Sequence, residues 1–304
     1  MNSNLASLLL SSVMSWDYVR LNSERPELEF MGSMKYDAYD RFMPGTRFMS
    51  SLVQWLNQFD KEDRATVLNF VKKKLVFISS PQMNYLVDLL YDSKIRPLLL
   101  RKATENAQTP SYMLCNKKVQ KQFEIEKRSA LVIGLSDGAH TDILRRSAGF
   151  NNEQVLTNYY PDGKKLKDML KDLREDKKLE GVENVYFRNI FLIDDFTASG
   201  KSFVRYDEKA KKFKGKLSKI IDELYATNIE PTEEEKKEGK KEELHLSYLL
   251  DANQPEIHID ILFCMATQKA EDNIRKSLDD FLEKRGYGKI KYHIHVVQKL
   301  DESL

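Results

Sequence analysis

The sequence predicts an α/β fold, a parallel sheet with helices on both faces, preceded by a helical N-terminal domain. Three observations carry this expectation. Beyond about residue 128, apolar runs rich in β-branched residues alternate with amphipathic patterns, the order of a parallel sheet covered on both faces. Before about residue 125, apolar residues recur at helical spacing instead. The chain of 304 residues holds only 12 Gly and 8 Pro, which argues against a turn-rich all-β fold or a repeat array. The expected division is a helical domain over residues 1–125 and an α/β domain over residues 126–304.

In the helical part, Phe48, Leu52, Trp55, Leu56 and Phe59 form one stripe, and Val67, Leu68, Val71 and Leu75 a second. Trp55 and Phe59 are expected in the core. A third helix starts with Ser80 as cap and Pro81 at its first position, followed by Met83, Leu86, Val87 and Leu90. Pro97 is expected to end or kink it.

The sheet part reads in order. Ser129–Gly134 is a buried strand and Gln154–Tyr160 a second. Leu166, Met169, Leu170 and Leu173 mark a helix in a lysine-rich frame. Val185–Ile193 is a third strand and Ile257–Ala266 a fourth. Ala270, Ile274, Leu278, Phe281 and Leu282 form a helix that Gly286 can cap, and Ile290–Val297 is a last strand. Residues 231–245 hold six Glu and four Lys, so the loop over 229–247 is expected to be solvated and mobile.

Composition narrows the function classes. Lys+Arg number 49 against 47 Asp+Glu, so no bulk basic charge coats the chain for nucleic acid. No apolar run approaches the roughly 20 residues of a bilayer span, and the N-terminal segment lacks a basic stretch before its apolar patch. No membrane association is expected. Cys115 and Cys264 make no metal spacing and no disulfide framework, which suits a cytoplasmic location.

The segment Asn189–Ser202 carries the chemistry. An apolar strand ends in Asp194 and Asp195, where open α/β sheets bind their ligands. Adjacent carboxylates can accept hydrogen bonds from the vicinal hydroxyls of a ribose. The turn Thr197–Ala198–Ser199–Gly200–Lys201–Ser202 offers backbone N–H groups and hydroxyls, and a helix start is expected directly after it. A helix N-terminus favours phosphate. A diol clamp beside a phosphate cradle describes a ribose 5-phosphate site. Lys201 reads two ways, on the phosphate or in water. Two plainer readings stay open. Asp194 and Asp195 can be strand-end acids that cap the next helix. Gly200–Lys201–Ser202 can belong to a P-loop nucleotidase, although Asp195 stands where that motif needs glycine.

Phe191–Leu–Ile–Asp194–Asp195 and Ser199–Gly–Lys–Ser202 match, without a gap, the signature of the type I phosphoribosyltransferases. The resemblance implies a phosphoribosyltransferase-like fold from about residue 128 to 300. It implies that the acids hold the ribose of phosphoribosyl pyrophosphate (PRPP) or a nucleotide and that the turn holds its 5-phosphate. In that family a pyrophosphate loop follows the first strand. Here that place holds Ser136, Asp137, Gly138 and His140, with Arg145 further on, though the Gly-rich spelling is absent and Asp137 sits inside. Asp194 would sit near a Mg²⁺. No base-recognising hood is identifiable; a helical extension and a basic insert, Arg205–Lys216, stand instead. This layout is similar to phosphoribosyltransferase-like effectors of bacterial conflict, antiphage and retron-associated systems.

The reaction so implied is displacement at the ribose anomeric carbon, by transfer or by hydrolysis. A catalytically inactive PRPP- or nucleotide-sensing module is the alternative, and the helical domain is a candidate surface for a protein or nucleic-acid partner. His258, His293 and His295 alternate within strands and read as structural, and Cys264 as buried and inert.

Overall fold

The computed structural model describes residues 3–36, 47–157, 161–232 and 241–300. The chain divides into two compact units, Met1–Tyr85 and Leu86–Ser303. The division falls inside a helix, so residues 86–125 of the expected helical domain belong to the same unit as the sheet.

The first unit contains α1 (Ser3–Met14), α2 (Tyr18–Met31), α3 (Phe48–Leu56) and α4 (Arg64–Lys73). Asp17 caps α2 by accepting from the Arg20 amide at 2.8 Å. The core gathers Leu10, Leu21, Leu28, Leu52, Leu56 and Leu68. Trp55 departs from the expectation: it stands 36% exposed, edge-on to Phe59 at 5.0 Å. Leu52, Val53 and Leu56 fill the buried stripe of so short a helix and leave Trp55 on its flank.

Helix α5 (Ser80–Leu90) follows. Its cap is Ser79 rather than Ser80, because the Ser79 hydroxyl accepts from the Gln82 amide at 3.4 Å while Gln82 Oε1 accepts from the Ser79 amide at 2.9 Å. A π-helical turn, Tyr91–Ile95, joins α5 to α6 (Arg96–Asn106), with Pro97 in the first turn of α6. The wider turn accommodates a ring that lacks an N–H. Helix α7 (Lys117–Arg128) leads into the sheet.

The sheet holds β1 (Ala130–Gly134), β2 (Val155–Leu156), β3 (Asn189–Thr197), β6 (Ile257–Thr267) and β7 (Ile290–Leu300), in the order β2-β1-β3-β6-β7, all parallel. A small antiparallel hairpin, β4 (Arg205–Asp207) and β5 (Lys212–Lys214), stands apart. The residues expected to extend β2 through Tyr160 include 158–160, which lie outside the described residues.

Connection handedness sorts the helices. Helices α9 (Gly163–Arg174), α10 (Lys216–Tyr225) and α11 (Gln268–Arg285) connect strands advancing toward β7, whereas α8 (Thr141–Ala148) connects β1 back to β2. Right-handed crossovers therefore put α8 on the opposite face. Packing agrees. Leu131, Ile133, Ile190, Leu192, Ile259 and Ile261 share one core with apolar residues of α9, α10 and α11. The alternate residues Val132, Phe191, Ile193 and Leu262 are equally buried, so the second face is covered too. At the start of β3, buried Asn189 donates to Glu126 Oε2 at 2.9 Å and accepts from Lys102 at 2.7 Å, which ties α6 and α7 to the sheet.

One expectation is corrected. The third strand is Asn189–Thr197 rather than Val185–Ile193, because β6 continues and pairs Asp194 with Phe263 and Thr197 with Ala266. The flanks of the loop over 229–247 are tied down: Ile229 and Glu243 exchange backbone hydrogen bonds of 2.8 and 3.0 Å. Residues 233–240 of that loop lie outside the described residues. Among the described residues no helix is long and apolar enough to cross a membrane.

Candidate functional site

The site forms where the strand order reverses. Strand β1 ends with Gly134 opposite Ile193, and one further bond, Leu135 N–H to Ile193 O at 2.8 Å, closes the pairing. Strand β3 runs on for four residues with β6 as its only partner. From Asp194 onward, β3 therefore has no paired strand on its β1 side, where the loop after β1 packs instead, and this switch point is the crevice position of an open α/β sheet. Open α/β sheets bind ligands at such a switch point, beyond the strand carboxyl ends.

The two acids take different roles there. Asp194 is 1% exposed. Its Oδ1 accepts from the Ser136 hydroxyl and from the Asp195 amide, and its Oδ2 from Lys216 Nζ at 2.8 Å. Asp195 is only partly buried, and its Oδ1 accepts from the Phe196 amide at 2.7 Å. Burial first, and then the Asp194 carboxylate, hold the Asp195 carboxyl above the usual carboxylate range. Asp195 is thus the more accessible of the two acids, and Asp194 the acid that the protein has enclosed.

Gly138 lies against this carboxylate. A Cβ added there would stand 2.4 Å from Asp195 Oδ2, so only glycine lets the loop after β1 approach so closely. That loop is a short 3₁₀ turn, Asp137–Ala139, followed by His140 at φ 47°, which starts α8 without a side-chain cap. Asp137 is exposed. Arg145 and Arg146 lie in the last turn of α8, the end remote from the loop. Among the described residues neither guanidinium bonds to the acid pair.

The turn after β3 is pinned from below. Thr197 is buried, and its hydroxyl accepts from the Gly200 amide at 3.2 Å. Thr267 donates to Ala198 O at 2.6 Å, and Asn273 to Ser199 O at 3.0 Å. Gly200 has φ 72°, and a Cβ there would stand 2.7 Å from Ala270 O. Ala198, Ser199, Lys201 and Ser202 stay exposed around it. Lys201 makes no side-chain ion pair among the described residues.

No helix follows Ser202 directly, contrary to expectation. The chain leaves into the β4–β5 hairpin and returns at Gly215, φ 139°, where a Cβ would meet Phe203 O at 2.2 Å. Helix α10 then starts, its Lys216 and Leu217 amides donating to Ser202 O and Phe203 O at 3.2 and 2.9 Å. The hairpin is an excursion between the turn and its helix, and those two helix-end donors are already taken.

Sequence reasoning missed Lys216 as a site residue. It stands 22 positions beyond Asp194 and acts through a hairpin that no local pattern announces. Phe196, 43% exposed beside the acids, was also missed. Cys264 agrees with its reading: burial, and then the two nearby carboxylates, push its thiol up to about 12, so it is inert.

A divalent cation fits Asp194 poorly. Its two oxygens already accept three hydrogen bonds, and the Lys216 ammonium at Oδ2 puts a positive charge where a cation would be repelled. Among the described residues no group of three or more His, Cys, Asp or Glu gathers for a metal. His140 stands in the loop after β1, whereas His258, His293 and His295 lie on β6 and β7, where His295 Nε2 contacts Asp260 at 2.8 Å.

No curated protein and no solved structure matches the chain. The model of one protein family, PRTase-CE, matches residues 52–304. With that match over most of its length, and with a parallel sheet whose crevice opens between β1 and the acid pair of β3, the chain belongs to the PRTase-CE family of phosphoribosyltransferase-like domains.

Proposed function

We propose that this protein binds the ribose 5-phosphate part of PRPP or of a nucleotide and acts at its anomeric carbon. The observation that carries the reading is the pairing of Asp195 with the pinned Thr197–Ser202 turn at one crevice. The Asp195 carboxylate accepts hydrogen bonds from the ribose hydroxyls. The Gly200 and Lys201 region, with the Ser199 and Ser202 hydroxyls, holds the 5-phosphate. Asp194 supports this through its neighbours: it fixes the Asp195 backbone and orients Ser136. The sugar is so held while the bond from the anomeric carbon to its leaving group breaks and a nucleophile adds. Positioning and electrostatics supply the rate, because the transition state carries oxocarbenium charge beside two carboxylates.

The test is titration of the full chain with ribose 5-phosphate and PRPP, followed by assay of pyrophosphate or free base with a panel of bases, nucleotides and water. Saturable binding that Asp195→Asn weakens at least tenfold supports the reading. No binding of any ribose phosphate sinks it.

A sensing role without turnover is the second reading. It is favoured by the enclosure of Asp194 by Lys216 and by the acid Asp137 in the loop after β1. Ribose-phosphate binding with no product under any acceptor supports it. The wider assignment, an effector of a bacterial conflict system working in the cytoplasm, rests on the layout of helical extension and basic insert. Host growth arrest on expression, relieved by Asp195→Asn, tests it. A protein or nucleic-acid partner at the helical unit is tested by salt-dependent binding that disappears when residues 1–85 are removed.

A further inference from the structure

We propose that a basic cavity beside the crevice is a second subsite, which binds the phosphate-bearing acceptor of the reaction, a mononucleotide. The inference rests on the ribose-phosphate reading above and names the class of its second substrate.

The cavity is half open and has a volume of about 650 Å³, within the range of small-ligand sites. Its floor is apolar, made by Ile133 and Leu135 at the end of β1 and by Leu156 on β2. Its wall is the β4–β5 hairpin and the first turns of α10, which contribute Arg205, Lys212, Lys214, Lys216 and Lys219. Ser202 lines the cavity and also belongs to the turn that holds the 5-phosphate in that reading, and Lys216 joins the cavity wall to Asp194, so a molecule in the cavity adjoins the phosphate end of that site.

The charges do not cancel. Lys214 pairs with Asp207 at 2.5 Å and Lys216 with Asp194 at 2.8 Å. Arg205 donates to Lys201 O at 2.8 Å, which orients the guanidinium without neutralising it. Lys212 and Lys219 are exposed and have no acidic partner among the described residues. The acid of the lining, Asp222, is engaged by the Tyr287 hydroxyl at 2.8 Å and by Arg285 at 3.5 Å. Three uncompensated cations remain over an apolar floor. That pairing suits a phosphate joined to a flat aromatic group, which is a nucleotide. The volume suits one nucleotide.

In the transfer itself, the acceptor's nucleophilic nitrogen or oxygen forms the bond to the anomeric carbon. The bond from that carbon to pyrophosphate oxygen breaks, pyrophosphate leaves with the electron pair, and the acceptor's proton passes to water.

The experiment is calorimetric titration of the full chain with AMP, GMP, CMP and UMP, with and without saturating ribose 5-phosphate. The same titrations use the Lys212→Gln/Lys219→Gln double variant, checked for an unchanged thermal midpoint, and a single-stranded oligonucleotide. The expected result is mononucleotide binding that persists beside ribose 5-phosphate and weakens at least tenfold in the double variant, with ribose 5-phosphate affinity unchanged. Full competition between the two ligands overturns the proposal, as does mononucleotide affinity indifferent to the two lysines. Binding of the oligonucleotide but not of mononucleotides overturns it as well. If ribose 5-phosphate binds and no mononucleotide does, the subsite fails and the ribose-phosphate reading stands. If neither ribose 5-phosphate nor any mononucleotide binds, that reading fails and takes the acceptor role with it.

Discussion

Lys216 Nζ lies 2.8 Å from Asp194 Oδ2, and this contact joins the first turn of α10 to a carboxylate buried at the end of the central strand. Asp194 has no water to solvate it, so the lysine is its countercharge. Breaking a buried pair by removing one partner leaves an uncompensated charge, which is costly. Lys216 is one-third exposed, which lowers the cost. Lys216→Met should lower stability in urea by about 2 kcal/mol. Asp194→Asn should recover part of that loss, so the double variant is less destabilised than the sum of the singles. Strict additivity would show that the two groups do not interact.

Asp195 behaves oppositely, because its folded carboxyl titrates above the value of 3.8 expected for a free aspartate. Between those two values the folded state binds more protons than the unfolded one. Stability therefore falls as pH rises through that window and stays reduced above it. Asp195→Asn should raise the thermal midpoint at pH 7, and the gain should vanish in acid below the window. Ribose 5-phosphate binding should move the other way, lost in the variant at every pH and lost in the native protein as Asp195 protonates. A variant no more stable than the native protein at pH 7 would contradict the burial of this charge.

These two residues also show what the sequence made legible. The run Ile190–Ile193 and the acids announced a strand and a ligand site, because apolar pattern and carboxylate chemistry are local properties. The strand's true end at Thr197 was hidden, since it depends on β6 continuing alongside. The different fates of Asp194 and Asp195 were hidden for a related reason. Ser136 and Lys216 stand 58 and 22 positions away, and only the closed sheet and the hairpin bring them in. The helix expected at Ser202 does exist, displaced by the hairpin to Lys216; turn residues signal a break but not the length of the excursion.

Gly138 offers a test of geometry without a change of charge. Its missing Cβ is the space that Asp195 occupies, at 2.4 Å from Oδ2. Gly138→Ala must push the carboxylate aside or shift the loop. A displacement near 1 Å in a positioned group costs on the order of a hundredfold in turnover, so ribose 5-phosphate affinity should fall at least tenfold. Gly138→Ser should do no better, because the obstruction is the first carbon. Unchanged binding in Gly138→Ala would mean that Asp195 is not the acid that meets the sugar.

Gly200 and Gly286 form a matched pair for the turn. Both have positive φ, 72° and 70°. A Cβ at Gly286 meets nothing within 4 Å, whereas at Gly200 it meets Ala270 O at 2.7 Å and Ile274 Cγ1 at 2.9 Å. Gly286→Ala should therefore cost only the left-handed strain, about 1 kcal/mol. Gly200→Ala carries that strain plus a collision with the backbone of α11, which cannot yield as a side-chain tip would. Its cost should exceed that of Gly286→Ala by roughly 1–2 kcal/mol in chemical denaturation. Relief of the collision must lift the turn away from α11 and strain the bonds from Thr267 and Asn273 that pin it. Phosphate-dependent binding should fall in Gly200→Ala and remain intact in Gly286→Ala. Equal costs and equal binding in the two variants would show that the turn does not depend on its close approach to α11.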